Sequence, residues 1–214
     1  MRVSPPIVFF ILAFTLDVVV APASHSQIRY PRERLGVRVG YVGTRGGLAD
    51  SYGAGTHANI HFSERISSPY YLHVRVGAIY LGDLKRSELA ERFTGIANIQ
   101  SQMRLLFLTG GPQYTLLLGD RWTGYTSVEA GIYSVNLLFD GPFQSIDVSD
   151  SHFGGNIGVG AMWRIAGTWN LDLNTTVHYF RTNMNRFALF PAFTDGDSNP
   201  LFIQTSVGVT IDLR

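Results

Sequence analysis

His152 to Phe180 reads HFGGNIGVGAMWRIAGTWNLDLNTTVHYF, and its period decides the fold. Phe153, Ile157, Val159, Ala161, Trp163 and Ile165 fall on one side of an extended chain, and Gly154, Asn156, Gly158, Gly160, Met162 and Arg164 on the other. After a short break, Trp169, Leu171, Leu173, Thr175, Val177 and Tyr179 alternate with Asn170, Asp172, Asn174, Thr176 and His178. A period of two held this long exceeds the usual soluble strand of about five or six residues. The break at 166 to 168 is too short for anything but an antiparallel hairpin.

Each strand therefore has one apolar and one polar face. In a soluble sandwich the polar face meets water, but here it is full of glycine and amide residues, and the apolar rows end in aromatics. That combination predicts membrane-spanning strands, with lipid outside, a polar lumen inside and aromatic girdles at the interfaces.

The same alternation recurs along the chain. It predicts strands over 35–42, 52–62, 70–81, 104–118, 123–137, 152–165, 169–180 and 201–213. Tyr52, Ala54, Thr56, Ala58, Ile60 and Phe62 form the apolar row of the second strand, and His57, Asn59 and His61 its polar row. On the third, Tyr71, His73, Arg75 and Gly77 point inward. The fourth is irregular, because 104 to 108 loses alternation and Gly110-Gly111-Pro112 reads as either a bulge or a turn; one strand running on to about Leu118 is preferred. The connections at 44–51, 83–103, 139–152 and 181–200 are long, while 63–69, 119–122 and 166–168 are short. Regular alternation of long and short links is what a barrel with extracellular loops and periplasmic turns requires, with both termini periplasmic. The fold class expected is all-β, an eight-stranded antiparallel up-and-down transmembrane barrel.

Tyr125-Thr126-Ser127-Val128-Glu129-Ala130-Gly131-Ile132-Tyr133, Gly154-Gly155-Asn156-Ile157-Gly158-Val159-Gly160 and the closing Ser206-Val207-Gly208-Val209-Thr210 carry a family likeness. On these stretches the chain from about Arg34 onward resembles the small eight-stranded outer-membrane barrels with an OmpA-like membrane domain. The resemblance implies a bacterial outer-membrane location; such glycine and aromatic patterns specify a fold family well and a function poorly.

Ahead of the barrel, Arg2 is followed by an apolar run from Ile7 to Val20, broken only by Thr15 and Asp17, and then by Ala21-Pro22-Ala23 and Ser24-His25-Ser26. This reads as a secretory signal peptide over 1–26, cleaved after Ala23 or Ser26, with the barrel domain over 27–214. The run is too short and too polar for a comfortable membrane-spanning helix, which needs about 20 apolar residues. No cysteine occurs, so neither disulfides nor a lipidated cysteine enter the reading. Seventeen basic against sixteen acidic residues give no case for nucleic acid.

The candidate site is the lumen. Arg38, Arg75, Arg164, Glu129 and Asp172, together with Asp212, fall on inward rows, and a barrel of eight strands is only just wide enough to be filled by side chains. The expectation is a packed network of ion pairs, with Arg164 opposite Asp172 across the central hairpin and Glu129 joining the same arginine. The same groups would also permit a gate for small ions. The histidines His57, His61, His73 and His178 share these rows. A tight turn at 63–69 would set His57 near Arg75 and Asn59 near His73, which forces no three imidazoles together as a zinc site needs; neither metal nor cofactor is expected.

Lipid-modifying barrels of this size exist, and the deacylases among them use a serine two residues after a histidine. His61-Phe62-Ser63 is the only such pair in the barrel. It sits at the periplasmic end of its strand, away from an outer-leaflet substrate, with no evident carboxylate partner. The function expected is therefore a non-enzymatic integral outer-membrane protein with a polar packed lumen, whose loops serve surface interaction or envelope integrity. A lipid A acyl hydrolase is the alternative. Outer-membrane lipid, a surface partner reached through loops carrying Phe187, Phe190 and Phe193, and a monomeric state complete the expectation.

Overall fold

The computed structural model describes residues 30–45, 49, 52–82, 100–140, 145–180 and 201–213. From Pro31 onward the chain is a closed barrel of eight antiparallel strands, each bonded to the next and the last to the first. They are β1 Glu33–Arg45, β2 Gly55–Ser67, β3 Tyr70–Leu81, β4 Gln100–Leu117, β5 Trp122–Asp140, β6 Ser145–Ala166, β7 Trp169–Phe180 and β8 Leu201–Leu213. Closure satisfies backbone groups around the ring, which a hydrocarbon environment demands because no water is present to do so.

The inward and outward rows fall as alternation requires. Val37, Val39, Ile60, Val76, Val128, Ile132, Ile157, Leu173 and Val207 are exposed on the outside, while Arg38, His61, Arg75, Glu129, Asn156, Asp172 and Ser206 are buried inside. In water, such an apolar exterior around a charged interior would be the wrong way round; in lipid it is the stable arrangement. All three tryptophans, Trp122, Trp163 and Trp169, lie outward at the end where the short turns are, with Trp122 and Trp163 stacked at 5.9 Å. Aromatic side chains at this level suit the membrane interface, where an apolar body and a polar tip are both accommodated.

Several strands extend past the limits read from the sequence, for one physical reason. Beyond the apolar band a strand no longer meets lipid, so its outward residues become polar and resemble loop. β2 continues through Glu64 and Arg65 to Ser67, and the turn sits at Ser68-Pro69 rather than being spread over 63–69. The register shifts accordingly: His61, not His57, faces Arg75, and Ser63, not Asn59, faces His73. β4 begins at Gln100 instead of 104, and it passes through Gly110-Gly111-Pro112 without a slip, since Gly110 faces Ala130 and Gln113 faces Ser127 in one register. β6 begins at Ser145, so the connection from β5 is 141–144; the long loop expected over 139–152 is a four-residue link between strands, and long and short links do not alternate strictly.

Tyr52 is a further correction. Alternation places it on the outward row of β2, but it precedes that strand and is fully buried. The signal segment 1–26 and Phe187, Phe190 and Phe193 lie outside the described residues.

Candidate functional site

β7 orders the lumen from the turn end to the loop end through Asn170, Asp172, Asn174, Thr176, His178 and Phe180, all buried. Three carboxylates organise the polar part. Glu129 on β5 receives Arg75 of β3 through Nη2, which lies 2.9 Å from Oε1 and 3.0 Å from Oε2. Thr109 Oγ1 donates to Oε2 at 2.6 Å, Ser127 Oγ donates to Oε1 at 3.1 Å, and Asn156 Nδ2 donates to Oε2 at 3.3 Å. The same Nη2 also reaches Asn156 Oδ1 at 2.6 Å, while Nη1 donates to Thr176 Oγ1 at 3.1 Å and Nε to Glu129 Oε2 at 3.3 Å. A buried ion pair is tolerable only when its spare lone pairs and protons are satisfied in this way.

Asp172 on β7 pairs with Arg38 on β1, Nη2 to Oδ2 at 2.8 Å and Nε to Oδ2 at 2.9 Å. Tyr125 OH donates to Oδ1 at 2.7 Å and Thr210 Oγ1 donates to Oδ2 at 2.9 Å. Gly160 makes room for this tyrosine, because a Cβ there would run into the Tyr125 ring and hydroxyl. The third carboxylate, Asp212, lies at the turn end with Arg34 Nε at 3.3 Å and Arg164 Nη2 at 3.5 Å.

The five residues singled out from the sequence are thus distributed over three ion clusters. Arg75 meets Glu129 and Arg38 meets Asp172, but Arg164 meets neither acid. Across the hairpin Asp172 faces Met162 and Arg164 faces Asn170, because an irregularity between Arg164 and Ala166 displaces the register expected from the turn alone. Arg164 turns instead to Asp212 and keeps 39% of its side chain exposed. Asp212, which the sequence also places on an inward row, is outside that group of five, and Arg34 precedes the strand expected to begin at Leu35, whereas β1 begins at Glu33.

Ser63 and His73 face each other across β2 and β3, with Ser63 Oγ 2.7 Å from His73 Nδ1. His73 Nε2 lies 3.7 Å from Glu129 Oε1, so serine, histidine and carboxylate follow one another as in a hydrolase. The surroundings differ from those of a nucleophile. Ser63 is 2% exposed and lies in the lumen rather than toward lipid; its hydroxyl also lies 3.1 Å from Gln113 Oε1, as donor; and Glu129 is already held by Arg75. His61, of the same His-Phe-Ser stretch, packs against Arg38 and Thr210, at 3.3 and 3.2 Å from its Nε2. Among the described residues, no three histidine, aspartate or glutamate side chains are placed to hold a metal ion.

Above the polar clusters the lumen changes character, which alternation alone does not signal. Tyr133 OH lies 3.0 Å from His178 Nδ1, and His178 Nε2 lies 2.8 Å from Gln204 Oε1. Over this layer stack Phe107, Tyr133, Phe180 and Phe202, with ring centroids 6.1, 5.0 and 5.7 Å apart in sequence. Val42, Ile79, Met103, Leu105, Val135 and Leu137 complete an apolar cluster. At this height β4 to β6 invert the pattern below, carrying exposed Gln102, Arg104 and Asp147 outside and buried Met103, Leu105, Val135 and Leu137 inside.

A closed eight-stranded antiparallel barrel with an ion-paired interior and an apolar exterior has the fold of the small outer-membrane β-barrels. Neisserial surface protein A (NspA) superposes with a TM-score of 0.53 at 11% identity, over 85% of this chain and 97% of that one. A major outer membrane protein from Thermus thermophilus superposes with a TM-score of 0.56 at 12% identity, over 84% and 98%. The outer membrane enzyme PagL matches at 0.38 and 14% identity, over 84% and 99%, a superposition too loose to bear on function. No family model matches the sequence, and no curated protein matches it. At these identities the likeness is one of fold.

Proposed function

We propose that this chain is a non-enzymatic integral protein of the bacterial outer membrane, made as a precursor with residues 1–26 as signal peptide. In this reading both termini are periplasmic, and a monomeric barrel presents its longer connections outside the cell for surface contacts or envelope integrity. The observation that carries it is the filled lumen. Ion clusters around Asp212, Asp172 and Glu129 are capped by the aromatic and aliphatic layer from Phe107 to Phe202. Such an interior is a structural plug, leaving the loop end as the surface on which sequence can vary without disturbing the barrel. The serine, histidine and carboxylate series lies within that plug, where no acyl chain reaches it.

Incubation of the purified full-length protein with outer-membrane lipid, followed by mass spectrometry of the lipid, tests the reading. Unchanged lipid is the expected result. Release of fatty acid, abolished by Ser63→Ala, would establish the lipid-hydrolase alternative.

A further inference from the structure

The outward face at the loop end carries a cation in an unusual place. Tyr41, Thr56, Tyr80, Arg104, Asn136 and Ser149 form one cross-strand row from β1 to β6. Below this row the outside is apolar on β3 and β4, with Val76, Leu106 and Leu108 exposed, and on β5 and β6 it becomes so past Ser134 and Ser151, at exposed Ile132 and Phe153. Tyr41 and Tyr80 are also exposed, and tyrosines at the end of an apolar band mark the level of lipid headgroups.

Arg104 thus stands where hydrocarbon gives way to headgroups. Its guanidinium lies 6.0 Å from the Tyr80 ring centroid, in cation–π range, which holds the planar fork at the barrel wall. It borders two surface grooves. One, of about 400 Å³, is lined by Thr56, Tyr80 and Gln102 among others; the other, of about 380 Å³, by Leu106, Ser134, Asn136 and Ser149. The one carboxylate on either groove, Asp147, accepts from Asn136 Nδ2 at 2.9 Å. No carboxylate stands within ion-pair distance of Arg104 among the described residues.

We propose that Arg104, with the hydroxyl and amide groups beside it, binds the phosphate of a phosphorylated lipid whose acyl chains lie along Leu106, Leu108 and Ile132. An unneutralised arginine at this depth matches a phosphate in both charge and geometry, since its fork donates two parallel hydrogen bonds to two oxygens. The apolar band immediately below fixes the source of that phosphate as a membrane lipid. A soluble anion would gain nothing from Leu106 and Leu108.

Native mass spectrometry of the full chain in an uncharged detergent tests this, with dioleoyl phosphatidic acid and dioleoylglycerol as paired probes. The phosphatidic acid is expected to stay bound and the diacylglycerol to be lost. Arg104→Gln should weaken the phosphatidic acid complex roughly tenfold, the loss of one charge-assisted contact. Arg45→Gln, which removes another exposed cation of the same rim, should change it by less than about twofold. Because Arg104 is exposed, both variants are expected to keep the parent's unfolding midpoint. Equal retention of diacylglycerol, or equal weakening by Arg45→Gln, would overturn the site. Displacement of the lipid by millimolar inorganic phosphate would show a soluble-anion site and overturn the assignment to lipid.

Discussion

Arg75 and Glu129 meet at two points in the middle of the barrel, with Arg75 Nη2 2.9 and 3.0 Å from the two carboxylate oxygens. Both side chains are almost wholly buried, so neither charge has water to fall back on. Removing one leaves the other desolvated and unpaired, a more severe change than removing both. Arg75→Met is expected to cost about 3 to 5 kcal/mol. The double variant Arg75→Met with Glu129→Leu should cost less than the sum of the single changes by about 2 kcal/mol or more, partly offset by the orphaned Thr109, Ser127 and Asn156 donors. Urea unfolding in detergent measures each term, and additive losses would mean the pair is not formed.

Arg164 and Asp172 supply the contrasting case. Their separation by the hairpin irregularity means a double-mutant cycle should return coupling of less than about 0.5 kcal/mol. The cycle between Arg38 and Asp172 should return more than about 1 kcal/mol. Arg164→Met alone should cost no more than about 1 kcal/mol, because its partly exposed ion pair with Asp212 is screened.

That contrast marks how far the sequence could be read. Which rows face inward was legible, because a period of two assigns every residue of a long strand to a face without knowledge of its neighbours. Which inward residues touch was not, because pairing depends on register, and one irregularity between Arg164 and Ala166, or a turn moved along to Ser68-Pro69, shifts every partner. The apolar cap was hidden for a different reason. Leu105, Leu106, Phe107 and Leu108 read as lost alternation, whereas the strand keeps its pleat and has apolar surroundings on both faces at that height, lipid outside and the Phe107 to Phe202 stack inside.

The rows themselves can be tested at adjacent residues. Val177 is exposed toward lipid and Thr176 is fully buried, where its hydroxyl accepts from Arg75 and donates to Asn174 Oδ1 at 2.7 Å. Val177→Arg should cost about 2 to 4 kcal/mol of stability in lipid vesicles, and Val207→Arg the same. Thr176→Val should cost about 1 to 2 kcal/mol by stranding one hydrogen-bond partner. A harmless arginine at Val177 would show that this face does not meet hydrocarbon.

Topology gives a prediction in cells. Gly119, with φ 128°, sits in the short β4–β5 turn, at the end where the tryptophans lie. If that end is periplasmic, an epitope inserted at Gly119 should be hidden on intact cells, whereas one inserted near Gly196 should bind antibody. The opposite labelling would invert the barrel.

Conduction separates the two layers of the plug. Ions crossing the barrel need a continuous path of water, and the ion clusters and the aromatic stack obstruct it in series; an apolar constriction stops ions without any charge, because water withdraws from it. Arg75→Met with Glu129→Leu should therefore leave planar bilayers silent, the rings of Tyr133, Phe180 and Phe202 still standing over the altered pair. Adding Phe107→Ala and Phe180→Ala to that variant should produce single-channel events, provided circular dichroism shows the barrel retained, since each such truncation costs about 3 to 5 kcal/mol on its own. The aromatic changes made without the ion-pair changes should stay silent too, held by Arg75 and Glu129. Channel activity from the ion-pair variant alone would show that neither the apolar layer nor the clusters around Asp172 and Asp212 seal the lumen.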